Sequence, residues 1–163
     1  MMPVLLRFAK MLGAFAVLWI FIWLYTRFSF LKIESREMEP TLKGETHKMA
    51  DPKIGSINDL NYDDLVSYSY NIVGRQPTFA ARVIGLPGDR VEIRQGDVYV
   101  NGSKIGANYV LAWSKNDAKE HYAEIIVPRD TVYVLCDNRR AFDKSDSRAL
   151  GPVGMWAING KFK

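Results

Sequence analysis

Fifteen consecutive residues, MLGAFAVLWIFIWLY at positions 11–25, carry no charged side chain, and no other feature so narrows what this chain can fold into. The run is apolar all round, without the stripe that a core helix turns toward its neighbours. At ~1.5 Å per residue it covers about 22 Å, short of the ~30 Å hydrocarbon core of a bilayer. Phe8, Ala9 and a snorkelling Lys10 extend it to about 27 Å, enough with slight thinning of the bilayer. Trp19, Trp23 and Tyr25 fall toward its C-terminal end, where an aromatic belt sits. A cleaved secretory signal shares the basic start and the length, but TRFSFLKI after the run offers no small-x-small cleavage site. Residues 1–30 are therefore expected to form an uncleaved, single-pass transmembrane anchor, and residues 31–163 a separate domain. Arg7, Lys10 and the amino terminus, set against Arg27 and Lys32, place the N-terminus inside and the domain outside.

The net charge of +4 over 163 residues is unevenly placed. Residues 1–27 hold Arg7, Lys10 and Arg27 with no acid, whereas the rest is close to neutral, with 19 bases against 18 acids. Nucleic-acid binding finds little support: there is no basic stripe, no Lys/Arg run and no RNA-binding signature. Cys136 is the single cysteine, which excludes an internal disulfide and a multi-cysteine zinc site. His47 and His121 stand 74 residues apart without ligand spacing, so neither a metal nor a cofactor is expected.

Beyond residue 30 no long stretch has helical periodicity. Short β-rich runs alternate with turn signals instead. DDLVSYSY (63–70) sets Leu65, Ser67 and Ser69 on one face and Val66, Tyr68 and Tyr70 on the other. FAARVIGL (79–86) runs into Pro87-Gly88-Asp89, the chemistry of a type II turn. RVEIRQGDVYVNGSKI (90–105) reads as a strand, a turn at Gln95-Gly96-Asp97, a second strand and an Asn101-Gly102 hairpin. AEIIVP (123–128) and DTVYVLC (130–136) add two strands, while AWSKNDAKEHY (112–122) is a polar excursion. The expected fold is mostly β, an antiparallel β domain tethered to a helix.

Four stretches, in order, resemble the type I signal peptidases. That family follows a membrane anchor with a loop S-x-S-M-x-P-T, here Ser35-Arg36-Glu37-Met38-Glu39-Pro40-Thr41. A strand opening G-D-x-V corresponds to Asp63-Asp64-Leu65-Val66. K-R-x-x-G-x-P-G-D corresponds to Ala81-Arg82-Val83-Ile84-Gly85-Leu86-Pro87-Gly88-Asp89. G-D-N-R and S-x-D-S-R correspond to Cys136-Asp137-Asn138-Arg139 and Lys144-Ser145-Asp146-Ser147-Arg148. The compact size and single anchor are similar to the small versions that mature pilins in conjugative transfer. The resemblance implies a signal-peptidase-like β-barrel or sandwich on the extracytoplasmic side of a bacterial inner membrane, with signal peptides or preproteins as ligands. It also implies a peptide groove along Met38, Pro40, Phe79, Ala80, Arg82 and Val83.

The departures fall where the chemistry is expected. In the family a serine hydroxyl attacks the peptide carbonyl after passing its proton to a neutral, desolvated lysine. The match puts Glu37 at the nucleophile and Ala81 at the base. Alanine accepts no proton, and a carboxylate opposes the developing oxyanion. Ser35 corresponds to the serine that donates to the oxyanion, or is a turn serine bonding local backbone. RAFDKS, between Arg139 and Asp146, is two residues longer than the common pattern and brings Lys144 to the place of the serine that orients the lysine. Pairing of Glu37 with Lys144 is one expectation, and pairing with Arg36 or with water at the cleft mouth is the other. Asp146 and Arg148 match a structural acid–base pair, Asp137 and Asn138 are read as caps of the turn after VYVLC, and Arg139, Ser145 and Ser147 complete that loop. Cys136 reads as a buried, inert thiol rather than a nucleophile.

The leading expectation is a catalytically silent homologue that binds preproteins or assists an active signal peptidase, a secretion machine or a pilus-assembly complex. The alternatives are an active enzyme with relocated parts, either Ser35 with Lys144 or a Glu37–Glu39 carboxylate pair, and a tethered β module that no longer recognises peptides.

Overall fold

The computed structural model describes residues 2–27, 29–33, 36–43, 46–51, 54–71, 74, 77–106, 120–140 and 145–162. Helix α1 (Met2–Arg27) covers the apolar run, and its large apolar side chains from Met11 to Tyr25 are exposed. Among the described residues, no helix is long and apolar enough to cross a membrane. This narrows the expected transmembrane anchor to an N-terminal apolar helix.

One residue after α1, strand β1 (Ser29–Ile33) begins. The domain continues with β2 (Thr46–Asp51), a 3-10 turn (Ile57–Asp59) and β3 (Leu65–Ser69). Next come β4 (Thr78–Gly85), β5 (Arg90–Arg94), β6 (Asp97–Val100) and β7 (Ser103–Lys104). After the polar excursion, most of which lies outside the described residues, follow β8 (Tyr122–Ile126) and β9 (Thr131–Leu135). The chain then makes α2 (Ser147–Leu150), β10 (Val153–Gly154), a second 3-10 turn (Met155–Ala157) and β11 (Ile158–Phe162).

These strands form two antiparallel sheets. The larger runs β1-β2-β11-β3-β4-β9-β10 and the smaller β7-β6-β5-β8. Strand β3 is covered on both faces: Ser67 is fully buried and Leu65 packs against the cluster around Met38. Val66 and Tyr68 are buried in the main core with Ala81, Val83, Val132, Val134 and Val153. A second core lies inside the small sheet, around Val91, Ile93, Tyr133 and Leu135. The expected turns form as their residues require. Gly88 takes φ +90°, and Leu86 N–H donates to Asp89 Oδ2 at 2.7 Å. Gln95-Gly96 and Asn101-Gly102 take positive φ at both positions, which a two-residue hairpin needs.

The sheets meet tightly at Gly85. A Cβ built there lies 2.6 Å from Val91 Cγ2 and 3.2 Å from both Tyr133 Cβ and Val127 Cγ2. The register of β4 against β9 shifts at this point, between Val83 and Gly85. Gly85→Val is expected to cost about 1–3 kcal/mol by overpacking. A urea midpoint unchanged from the parent would contradict this close approach.

Candidate functional site

The loop that carries Glu37 is pinned from below by its own apolar residues. Met38 and Leu42 are buried with Ala50, Ala80, Cys136 and Phe162. The loop closes on itself through Glu39 N–H to Arg36 O (3.2 Å) and Leu42 N–H to Met38 O (2.8 Å). It rests on the segment after β9, where Asn138 N–H donates to the Glu37 carbonyl at 2.8 Å and Asn138 Nδ2 to Arg36 O at 3.4 Å. Asp137 N–H points at Met38 Sδ, 3.4 Å away.

A buried ion pair locks this loop to β4. Arg82 donates through Nε to Asp137 Oδ1 (2.8 Å) and through Nη2 to Oδ2 (2.6 Å), while its Nη1 reaches Asp63 O at 2.9 Å. Thr41 donates its hydroxyl to the same Asp137 carboxylate. The guanidinium fork matches both carboxylate oxygens, the arrangement in which a buried pair best recovers its desolvation cost. Asp137 was expected to cap a turn; it instead joins the Glu37 loop, β4 and the end of β9. Arg82 was expected along the peptide groove, but its charged head is turned inward to this carboxylate.

The following loop is held by a second fork. Asp146 caps α2 by accepting from Arg148 N–H at 3.0 Å. Arg148 Nε and Nη2 return to the Asp146 carboxylate at 3.1 and 2.8 Å. Asp146 Oδ2 also accepts Cys136 N–H at 3.1 Å, and Ser147 Oγ accepts Val134 N–H at 2.8 Å. Arg148, with no exposed side-chain surface, extends Nη1 to Arg139 O (2.9 Å) and Glu120 Oε2 (3.3 Å). This bracing role agrees with the structural reading of Asp146 and Arg148.

Glu37 is 4% exposed and Ala81 is fully buried, so Glu37 does not stand at an open cleft mouth. Arg36 turns outward and pairs with Glu39, Nε to Oε1 3.3 Å, rather than with Glu37. That contact also engages the second member of the carboxylate pair considered above. Ser35 and Lys144 lie outside the described residues, and with them the expected Glu37–Lys144 pairing and the relocated Ser35–Lys144 dyad. Burial pushes the Cys136 thiol well above its ordinary value, and the nearby Asp146 and Glu37 carboxylates add to the effect. Such a thiol stays protonated at neutral pH and is a poor nucleophile.

Of the residues expected to line a peptide groove, Met38, Ala80, Arg82 and Val83 are buried, whereas Phe79 is half-buried and Pro40 exposed. A cavity of about 360 Å³ lies elsewhere, between β4 and the small sheet, lined by Tyr62, Asp63, Val83, Ile84, Val100, Ile105 and Gly106. It touches neither Glu37 nor Ala81.

The family profile described as "Signal peptidase, peptidase S26" matches residues 5–163. The chain belongs to the peptidase S26 signal peptidase family. Among its signal peptidase relatives, a probable signal peptidase I-2 of Synechocystis sp. is 36% identical over 137 residues, 79% of this chain and 58% of that protein. A signal peptidase I of Bacillus amyloliquefaciens is 30% identical over 122 residues, 71% of this chain and 63% of that protein. The crystal structure of a signal peptidase I from Enterococcus faecalis is similar with a TM-score of 0.53 at 27% identity, covering 64% of this chain and 97% of that one. The chain thus spans about three-fifths of the length of these two curated relatives.

Proposed function

We propose that this chain is a membrane-anchored, catalytically silent member of the signal peptidase family that receives signal peptides without cleaving them. One observation carries the reading: the positions matched to the family's nucleophile and base hold Glu37 and Ala81. Amide cleavage by this route needs a hydroxyl to attack and an amine to take its proton. Ala81 offers no acceptor for that proton. Glu37 places negative charge where the attacked carbonyl becomes an oxyanion, the opposite of what stabilises it. Losing one member of such a unit removes most of the rate advantage, and losing the second adds little.

The scaffold around these positions supports a binding role. Strand β4 pairs with β3 over Thr78–Arg82 and with β9 only from Arg82 onward, so its first half has one edge without a β9 partner. An extended peptide can add there as a strand, with backbone hydrogen bonds supplying the affinity. The exposed apolar surface of α1 supports insertion in the bacterial inner membrane, with the β domain on the extracytoplasmic face. There the protein holds preproteins for, or assists, an active signal peptidase or a secretion or pilus-assembly complex.

The detergent-solubilised chain is expected to leave an Ala-x-Ala signal substrate intact while cross-linking to it from photoreactive residues placed between 79 and 84. Cleavage at a rate typical of a working protease overturns silence. Absence of labelling at every one of these positions overturns peptide recognition.

A further inference from the structure

The cavity between β4 and the small sheet has no part in the arrangement around Glu37, yet its walls are fixed by bonds of their own. Val83, Ile84, Val100 and Ile105 give it an apolar lining, and its volume of about 360 Å³ falls within the range of small-molecule pockets. One carboxylate, Asp89, ties two of its sides. It accepts the Tyr62 hydroxyl on Oδ2 and Asn101 Nδ2 on Oδ1, each at 2.8 Å. Asn101 is bonded twice more to Arg90, through its N–H to Arg90 O (2.8 Å) and through Oδ1 from Arg90 N–H (2.9 Å). The end of β6 that carries Val100 and the ring of Tyr62 are thereby held in place. Asp63 is the charged member of the lining. Its N–H donates to Val83 O at 2.9 Å, and its carbonyl accepts Arg82 Nη1 at 2.9 Å. These bonds keep it at φ +67°, a left-handed conformation that glycine takes more readily than aspartate. A carboxylate is thus displayed at the cavity against a conformational cost. Among the described residues, no hydrogen bond or ion pair engages it. The nearby cations are committed elsewhere, Arg82 to Asp137 and Lys161 to Asp64.

We propose that this cavity binds a small organic cation, an apolar ring or short branched chain that ends in an ammonium group. The apolar end enters between Val83, Ile84, Val100 and Ile105, removing both surfaces from water. The ammonium stays at the exposed rim and pairs with the Asp63 carboxylate. A neutral ring forgoes that pairing, and an anion meets repulsion there. Because Asp89 holds the lining before the ligand arrives, binding adds little ordering cost. The cavity touches neither Glu37 nor Ala81, so the inference does not rest on the silent-site reading.

The test is a titration of the full chain in detergent, methyl-labelled on valine and isoleucine, with phenethylammonium and read by NMR. Saturable shifts are expected at Val83, Ile84, Val100 and Ile105, with a Kd on the order of 1 mM for so small a probe. Phenethyl alcohol, the same ring without the charge, is expected to bind about 3–5-fold more weakly, the worth of one solvent-exposed ion pair, and phenylpropionate more weakly still. Asp63→Asn should bring the ammonium down to the affinity of the alcohol and leave the alcohol unchanged. Ile105→Trp, which fills the cavity from its partly exposed side, should abolish the shifts from both. Shifts confined to the methyl groups of α1 would report uptake by detergent alone and overturn the proposal. Equal affinity for the three probes, or ammonium binding unaltered by Asp63→Asn, would overturn it as well.

Discussion

Arg82→Ala is expected to lower the unfolding free energy by about 3–5 kcal/mol, the cost of stripping one partner from a buried ion pair. The Asp137 side chain is wholly buried, and without the guanidinium its carboxylate retains only the Thr41 hydroxyl among the side-chain donors described above. Arg82→Lys should recover only part of the loss, because an ammonium cannot serve both carboxylate oxygens and the Asp63 carbonyl in the same fork geometry. Function should fail with stability. Thr41 hangs the Glu37 loop on Asp137, so the loop loses its tie to β4 and peptide cross-linking from residues 79–84 falls. Chemical denaturation checks the energy; a loss below about 1 kcal/mol would mean that the pair is solvated and contributes like a surface bridge.

Alkaline pH should destabilise the domain steeply. The Cys136 thiol is raised well above 9.0 by burial, Asp146 and Glu37. The phenols of Tyr68 and Tyr133 are raised above 10.0, chiefly by burial. All three groups hold their protons in the folded state at pH values where the unfolded chain releases them. Their contribution is therefore complete below the unfolded values. It is lost as pH rises past about 9 for Cys136 and about 10 for the tyrosines, at ~1.4 kcal/mol per pH unit for each group. Urea titrations at pH 8, 9.5 and 10.5 should show falling midpoints, and Cys136→Ala should remove the part of the slope that begins nearest pH 9. Constant stability across that range, equal in parent and variant, would contradict the burial of these groups.

The sheet strands with strong alternation were legible without coordinates. DDLVSYSY, FAARVIGL, RVEIR and DTVYVLC correspond to β3, β4, β5 and β9, and both two-residue hairpins fall where glycine permits positive φ. β1, β2 and β11 were not read as strands, because SFLKI, THKMAD and INGKF are short or rich in polar residues. Their pairing comes from tertiary partners: β2 lies between β1 and β11, and β11 between β2 and β3. The sequence motifs picked out the two loops that the structure brings into contact, but not their bonding. Arg82 and Asp137 are 55 positions apart, and nothing local joins them. One signal was present: each interrupts or closes an apolar run, and a charge inside such a run needs a partner. The alternation put Tyr68 on one face with Val66 and Tyr70, yet the bond from its hydroxyl to the Ser145 carbonyl depends on where Ser145 sits, which spacing does not reveal.

Only one residue separates the end of α1 at Arg27 from the start of β1, and Glu37 follows ten residues after Arg27. A chain extends at most ~3.5 Å per residue, so this leash holds the Glu37 loop within about 35 Å of the helix end. In the proposed membrane-anchored arrangement, that leash confines the domain to a thin shell at the surface, within reach of polypeptides emerging from the same bilayer rather than of those released into the surrounding fluid.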